Sequence, residues 1–190
     1  MKYNITLGEA KALASLAKLA AKKTYNPMLK CIHITVADKK LSAYVTDSYR
    51  LARYQIAQGA QSDEDGDVTV DAKALAAALK GAAFARLETA EDTAGRTLKV
   101  IVASGATTEL REVEGRYPDC ERLLEHDKAL PEVGNVNPAH LADVCSVVKS
   151  ALGTKASIRV ETHASSAWHI SAGDLEYGAF VDALLMPCRS

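Results

Sequence analysis

Lys11, Lys18 and Lys22 lie seven and eleven residues apart in a stretch rich in Ala, Leu and Lys with no internal Pro. At 3.6 residues per turn they fall within about 40° of one another on a helix, with Leu13, Leu16 and Ala20 on the opposite side. Lys73 and Lys80 repeat the stripe, opposite Leu75, Ala78 and Leu79, and Lys149 stands on a third helical segment. Ammonium groups so spaced can neutralise a regular array of phosphates; a solvated helix face has the same look. With Lys23, the three segments hold seven lysines against Glu9 and Asp143, which out of 23 basic and 24 acidic residues leaves 16 and 22 elsewhere. A net charge of -1 therefore combines a basic helical layer with an acidic remainder.

Covalent chemistry finds little footing. His33, His126, His140, His163 and His169 show no metal-ligand spacing, and Cys31, Cys120, Cys145 and Cys188 include no C-x-x-C pair. There is no phosphate-cradling glycine loop, nucleophile elbow or paired carboxylate site. The expectation is a protein without catalytic site, metal or cofactor, whose cysteines are reduced packing thiols and whose Trp168 packs or anchors an interface.

The elements that must hold these residues follow from period and punctuation. The 190 residues, 48% hydrophobic and 25% charged, have a globular composition. The apolar runs are shorter than a membrane span and the first residues lack a signal-peptide core, so the expected address is cytoplasmic. Lys2 to Thr6 reads as a strand and Leu7 to Lys23 as a helix; strands follow at Lys30 to Ala37, Leu41 to Thr46 and Leu51 to Ala57. Asp38-Lys39-Lys40 is a hairpin turn and Gly59 to Gly66 an acidic loop. The pattern restarts with a strand at Val68 to Val70, Asp71 as N-cap, a helix from Ala72 to Lys80 closed by Gly81, and strands at Phe84 to Thr89, Leu98 to Ala103 and Thr107 to Val113. It restarts again with a strand at Val133 to Val136, Asn137 as N-cap before Pro138, a helix to about Ala151, and strands near Ser157 to Glu161, Ala167 to Ser171 and Tyr177 to Met186. Strand, helix, three strands thus occurs three times, from about residues 1, 66 and 132. Short connections make this an α+β fold with antiparallel sheets and helices on one face.

Three separated stretches carry a family resemblance: Thr46-Asp47-Ser48-Tyr49-Arg50-Leu51-Ala52; Glu114-Gly115-Arg116-Tyr117-Pro118-Asp119-Cys120-Glu121-Arg122-Leu123-Leu124; and Leu184-Leu185-Met186-Pro187-Cys188-Arg189-Ser190. In this order, on the repeat just described, the chain resembles the bacterial DNA polymerase III beta subunit, the sliding clamp. The resemblance implies the DNA clamp fold, with residues 1–118 similar to the family's middle domain, 119–131 a linker, and 132–190 similar to the second half of its last domain. It implies a DNA replication processivity factor that holds duplex DNA non-specifically against its helices, through Lys11, Lys18, Lys22, Lys23, Lys73, Lys80 and Lys149. The loop Tyr25-Asn26-Pro27-Met28 corresponds to a family loop that touches DNA. It also implies an apolar cleft for short linear motifs of DNA polymerase, clamp loader or repair proteins, walled by Leu29, Thr46, Ser48, Tyr49, Arg50, Leu51, Pro118, Arg122, Leu123, Met186, Pro187 and Arg189. Ser48 stands where the family usually has glycine.

Singly these residues have plainer readings: Arg50 with Asp47 as a surface ion pair, Pro118-Asp119 as a turn, Met186-Pro187 as a strand end. The other function open to the chain is an adaptor or decoy that keeps the cleft and does not encircle DNA. Twelve repeats close the family's ring and this chain has three, so the third repeat would expose Leu141, Val144, Val147 and Val148 and a sheet edge. A homodimer through that repeat, or a closed homotetramer, is the expected assembly.

Overall fold

The period-two stretches of the first repeat are strands: β1 (Lys2–Thr6), β2 (Cys31–Ala37), β3 (Lys40–Thr46) and β4 (Arg50–Ile56). In this computed structural model the described residues are 1–56, 64–93, 95–125, 135–162, 167–174 and 178–187. Asp38 and Lys39 both take positive φ, 50° and 64°, the two-residue turn whose twist matches antiparallel strands. Between β1 and β2, Thr6 and Glu9 form a reciprocal capping box that starts α1 (Leu7–Leu16). This helix stops well short of Lys23. After Leu16 the backbone tightens, with Lys18 N–H donating to the Ser15 carbonyl and Leu19 N–H to that of Leu16, and Ala21 N–H bonds the Leu29 carbonyl. That course buries Leu19 and Ala20, and burial outweighs the small propensity gain of further helical turns.

The second repeat is β5 (Gly66–Asp71), α2 (Ala72–Ala78), β6 (Phe84–Asp92), β7 (Gly95–Val102) and β8 (Thr107–Arg111). Asp71 caps α2, its Oδ1 accepting from Ala74 N–H at 2.8 Å. A short helix, α3 (Cys120–Glu125), occupies part of the expected linker. The third repeat is α4 (Pro138–Leu152), β9 (Arg159–Thr162), β10 (Trp168–Asp174) and β11 (Ala179–Leu185). Of its expected first strand, Asn135 and Val136 lie outside any strand, while Val133 and Gly134 fall outside the described residues, as does most of the acidic loop before Gly66.

The strands form two antiparallel sheets, β1-β6-β7-β8 and β5-β2-β3-β4-β11-β10-β9. Repeats one and two exchange first strands, since β1 pairs with β6 and β5 with β2. The third repeat joins the first through β4 and β11, from Arg50↔Leu185 to Ile56↔Ala179. Above the sheets α2, α1 and α4 lie side by side, with α1 touching both neighbours. One core runs beneath them from Leu75 through Leu13 and Ile34 to Val147 and Val181.

This corrects the expected exposure of the third repeat. Val144, Val147 and Val148 are buried and Leu141 packs against the same core. Their cover is α1 rather than a second copy of the chain.

Candidate nucleic-acid face and peptide cleft

All seven candidate lysines are exposed on the helical layer or the turns that end its helices. Lys11 is on α1 and Lys73 on α2, Lys149 in the last turn of α4, Lys80 just past α2, and Lys18, Lys22 and Lys23 in the segment after α1. The expected single stripe Lys11-Lys18-Lys22 is broken where α1 ends. Lys18 Nζ donates to Ser146 Oγ on α4 at 2.6 Å, tying the segment after α1 to α4. Among the described residues none of the seven forms an ion pair. Tyr25 stands fully exposed beside them, on the loop whose Asn26 caps a 3-10 turn over Pro27–Lys30.

Glu121, Glu161 and Asp182 lie on the other face of the seven-stranded sheet. There Arg53 of β4 binds Asp182 of β11 at 2.7 Å, and His169 of β10 lies between Asp182 and Glu161 at 3.4 and 3.8 Å. Arg53 also covers the Phe180 ring at 5.2 Å. Burial pulls the Asp182 carboxyl upward, but hydrogen bonds from His169 and Arg53 prevail and hold it below its usual range.

The candidate cleft residues converge at one end of the seven-stranded sheet. Thr46, Ser48, Tyr49, Arg50 and Leu51 form the β3–β4 turn, and Met186 N–H donates to the Tyr49 carbonyl at 2.9 Å, which sets Met186 and Pro187 beside it. Leu29, half-buried on the 3-10 turn, belongs to the same end. Pro118, Arg122 and Leu123 arrive on the strap that carries α3 across the outer face. Arg189 lies outside the described residues.

Not all of these face a ligand. Leu51 is 4% exposed and packs with Tyr44, Cys120 and Leu124, so α3 already fills the pocket that Leu51 was expected to line. Burial at the start of α3, and secondarily Asp119, pushes the Cys120 thiol up to about 12. Tyr49, Leu123 and Met186 are the open apolar groups, 66%, 48% and 45% exposed. Thr46 is buried, its hydroxyl donating to the Arg50 carbonyl at 2.9 Å.

Arg50 is not a surface ion pair. It is 7% exposed; its Nε bonds Asp47 Oδ2 at 3.0 Å, its Nη1 bonds Asp143 on α4, and its Nη2 donates to the Lys18 carbonyl at 3.5 Å. One guanidinium thus joins the β3–β4 turn, α1's end and the third repeat. Its partner Asp143 is 93 residues away and left no local signal.

The strap itself makes a feature that the motifs did not reveal. Tyr117 stacks on His33, ring centroids 5.1 Å apart, and its hydroxyl oxygen lies 3.2 Å from each of the Cys31 and Tyr44 carbonyl oxygens, which share its one donated proton. Cavities of about 390 and 310 Å³ flank it, the first lined by His33, Asp67, Thr69, Glu112 and Glu114, the second by Tyr44, Arg116, Pro118 and Glu121. Burial lowers the His33 pKa, opposed in part by Asp67 and Glu112, and its Nδ1 lies 2.9 Å from Thr69 Oγ1.

The sequence profile of the DNA polymerase III beta subunit, N-terminal domain, matches residues 5–105, more than half of the chain. The chain belongs to the DNA polymerase III beta subunit family. The matching profile is that of the N-terminal domain, where the motifs resemble the middle one. No curated protein matches the chain in sequence. In fold it is similar to the C. crescentus beta sliding clamp, at 12% identity and a TM-score of 0.67, over 100% of this chain and 65% of that one. The DNA polymerase III beta subunit of Thermotoga maritima gives 13%, 0.66, 100% and 65%, and that of Pseudomonas aeruginosa 18%, 0.54, 97% and 50%. The chain therefore has the DNA clamp fold and spans half to about two thirds of the length of these beta subunits. No helix among its described residues is long and apolar enough to cross a membrane.

Proposed function

We propose that the chain is a sliding-clamp-like processivity factor of DNA replication. It holds duplex DNA non-specifically against the α2-α1-α4 layer and tethers DNA polymerase, clamp loader or repair proteins by short peptide motifs. It works by binding alone, without cofactor or catalytic site, and as a homo-oligomer. The observation that carries this reading is the distribution of charge: seven exposed lysines, none ion-paired among the described residues, lie on one helical layer, while the Asp182, Glu161 and Glu121 carboxylates lie behind the sheet. Such contacts reach phosphates and not bases, which permits sliding. Tyr49, Leu123 and Met186 suit the apolar anchors of an extended peptide, and Arg122, free of burial, suits its backbone or carboxylate.

The test is DNA affinity against salt. Each phosphate contact contributes about -0.9 to the slope of log affinity on log salt, so Lys11, Lys22, Lys73 and Lys80 changed together to Glu should flatten it by up to about 3.6. Absence of salt-dependent binding at low salt would favour the adaptor reading. Leu123→Asp with Met186→Asp should in turn abolish capture of a polar-apolar clamp-binding peptide.

A further inference from the structure

Successive strands of the seven-stranded sheet put five polar and aromatic side chains in one row across its outer face. Thr69, His33, Tyr44, Arg53 and Asp182 stand directly opposite one another in turn, from β5 through β2, β3 and β4 to β11, and laterally paired residues project from the same side of a sheet. Neighbours in the row interact. His33 Nδ1 lies 2.9 Å from Thr69 Oγ1, the His33 and Tyr44 ring centroids are 6.3 Å apart, the Tyr44 hydroxyl meets the Arg53 guanidinium, and Arg53 Nη2 donates to Asp182 at 2.7 Å.

The strap from Glu112 to Glu125 runs along this row and meets it strand by strand. Val113 N–H bonds the Thr69 carbonyl at 2.8 Å, Tyr117 stacks on His33, Cys120 and Leu124 cluster with Tyr44, and Glu121 reaches to 3.9 Å from Arg53 Nη1. Arg53 is itself fixed on its other sides, by Asp182, by Tyr44 and by the Phe180 ring that it covers at 5.2 Å. The helix it meets is not self-supporting: α3 has six residues, fewer than an isolated helix needs. Its outward side chains, Arg122 and Leu123, are exposed to solvent.

We propose that Arg53 is a positioning residue: through Glu121 it holds α3 on the β3-β4-β11 surface, and with it Leu123 and Arg122, without itself touching a peptide. The other contacts of α3 do not supply a direction. The Asp119–Arg122 pair, 4.0 Å apart, closes within the strap, and the burial of Cys120 and Leu124 is non-directional. A guanidinium clamped by Asp182 offers Glu121 one place to bind, which selects one placement of the helix. The effect on peptide capture rests on the cleft reading above; the holding of α3 rests on these contacts alone.

The experiment measures thiol labelling at Cys120, located by peptide mass, in the full chain carrying Cys145→Ser and Cys188→Ser, with buried Cys31 as internal reference. Glu121→Gln alters an exposed side chain, so the urea unfolding midpoint should hold while Cys120 labelling speeds up about twofold to fivefold. Added salt should close the gap between this variant and wild type, which a packing defect would not do. Arg53→Gln should speed labelling further, and the double variant should match Arg53→Gln, because both changes remove the same contact. Where the wild type captures a polar-apolar clamp-binding peptide, Arg53→Gln should weaken capture about threefold or more, as Leu123 and Arg122 lose their fixed placement. A wild type that captures no peptide removes the cleft reading only; unchanged Cys120 labelling in both variants overturns the positioning of α3.

Discussion

Ser48 shows what one residue's conformation costs. Its φ of 76° lies in the left-handed region, where a β-carbon is strained by about 1–2 kcal/mol and glycine is not. Ser48→Gly should raise unfolding stability by about 1 kcal/mol in urea titration, the gain trimmed by glycine's looser unfolded state. His33 acts through its proton. Burial holds its pKa below the ordinary 6.5, so the imidazole stays neutral in the fold. Below that pH the unfolded chain takes up a proton that the folded chain refuses, and stability must fall as pH drops from about 7 toward 5. His33→Phe, which keeps a ring against Tyr117, should lack that fall when unfolding is followed at both pH values. Asp182, held below 3.8, adds a second and separate loss at lower pH.

At the scale of elements, α3 is six residues long yet seals Tyr44 and Leu51 from water, with Leu184 packed against the same cluster. Leu124→Ala should loosen that seal and bring the Cys120 thiol within reach of a labelling reagent at least about tenfold faster than wild type, followed in a background lacking Cys145 and Cys188. The helix escaped sequence reading because Glu121-Arg122-Leu123-Leu124 is too short to establish a period, although Asp119, whose Oδ1 accepts from Arg122 N–H at 3.2 Å, is a sound N-terminal signal. By contrast β2, β3 and the turn between them were plain, since alternation and turn residues are local properties. The end of α1 was not plain, because Lys and Ala favour helix while Leu19 is drawn inward by a core assembled from remote strands. Likewise Ser48, Tyr49, Met186 and Pro187 could be grouped from their motifs, whereas the burial of Leu51 and Arg50 depends on partners that no spacing announces.

At the scale of the molecule, Arg50 and the β4–β11 ladder bind the third repeat to the first. Arg50→Met should destabilise the chain by about 2–3 kcal/mol, less than a fully buried pair would cost because Asp143 is partly exposed. It should speed amide exchange in β9, β10 and β11 while leaving β6 and β7 unchanged, which locates the loss at the junction. The same ladder bears on how the protein is made. Residues 50–56 leave the ribosome long before residues 179–185 that cover them, and at ordinary elongation rates the interval is on the order of ten seconds. Through that time the growing chain carries a bare strand, with Tyr54 and Ile56 alternating with the polar Arg53 and Gln55. The last three strands therefore dock late, and a chaperone that shields β4 until they emerge would raise yield more than any gain in final stability.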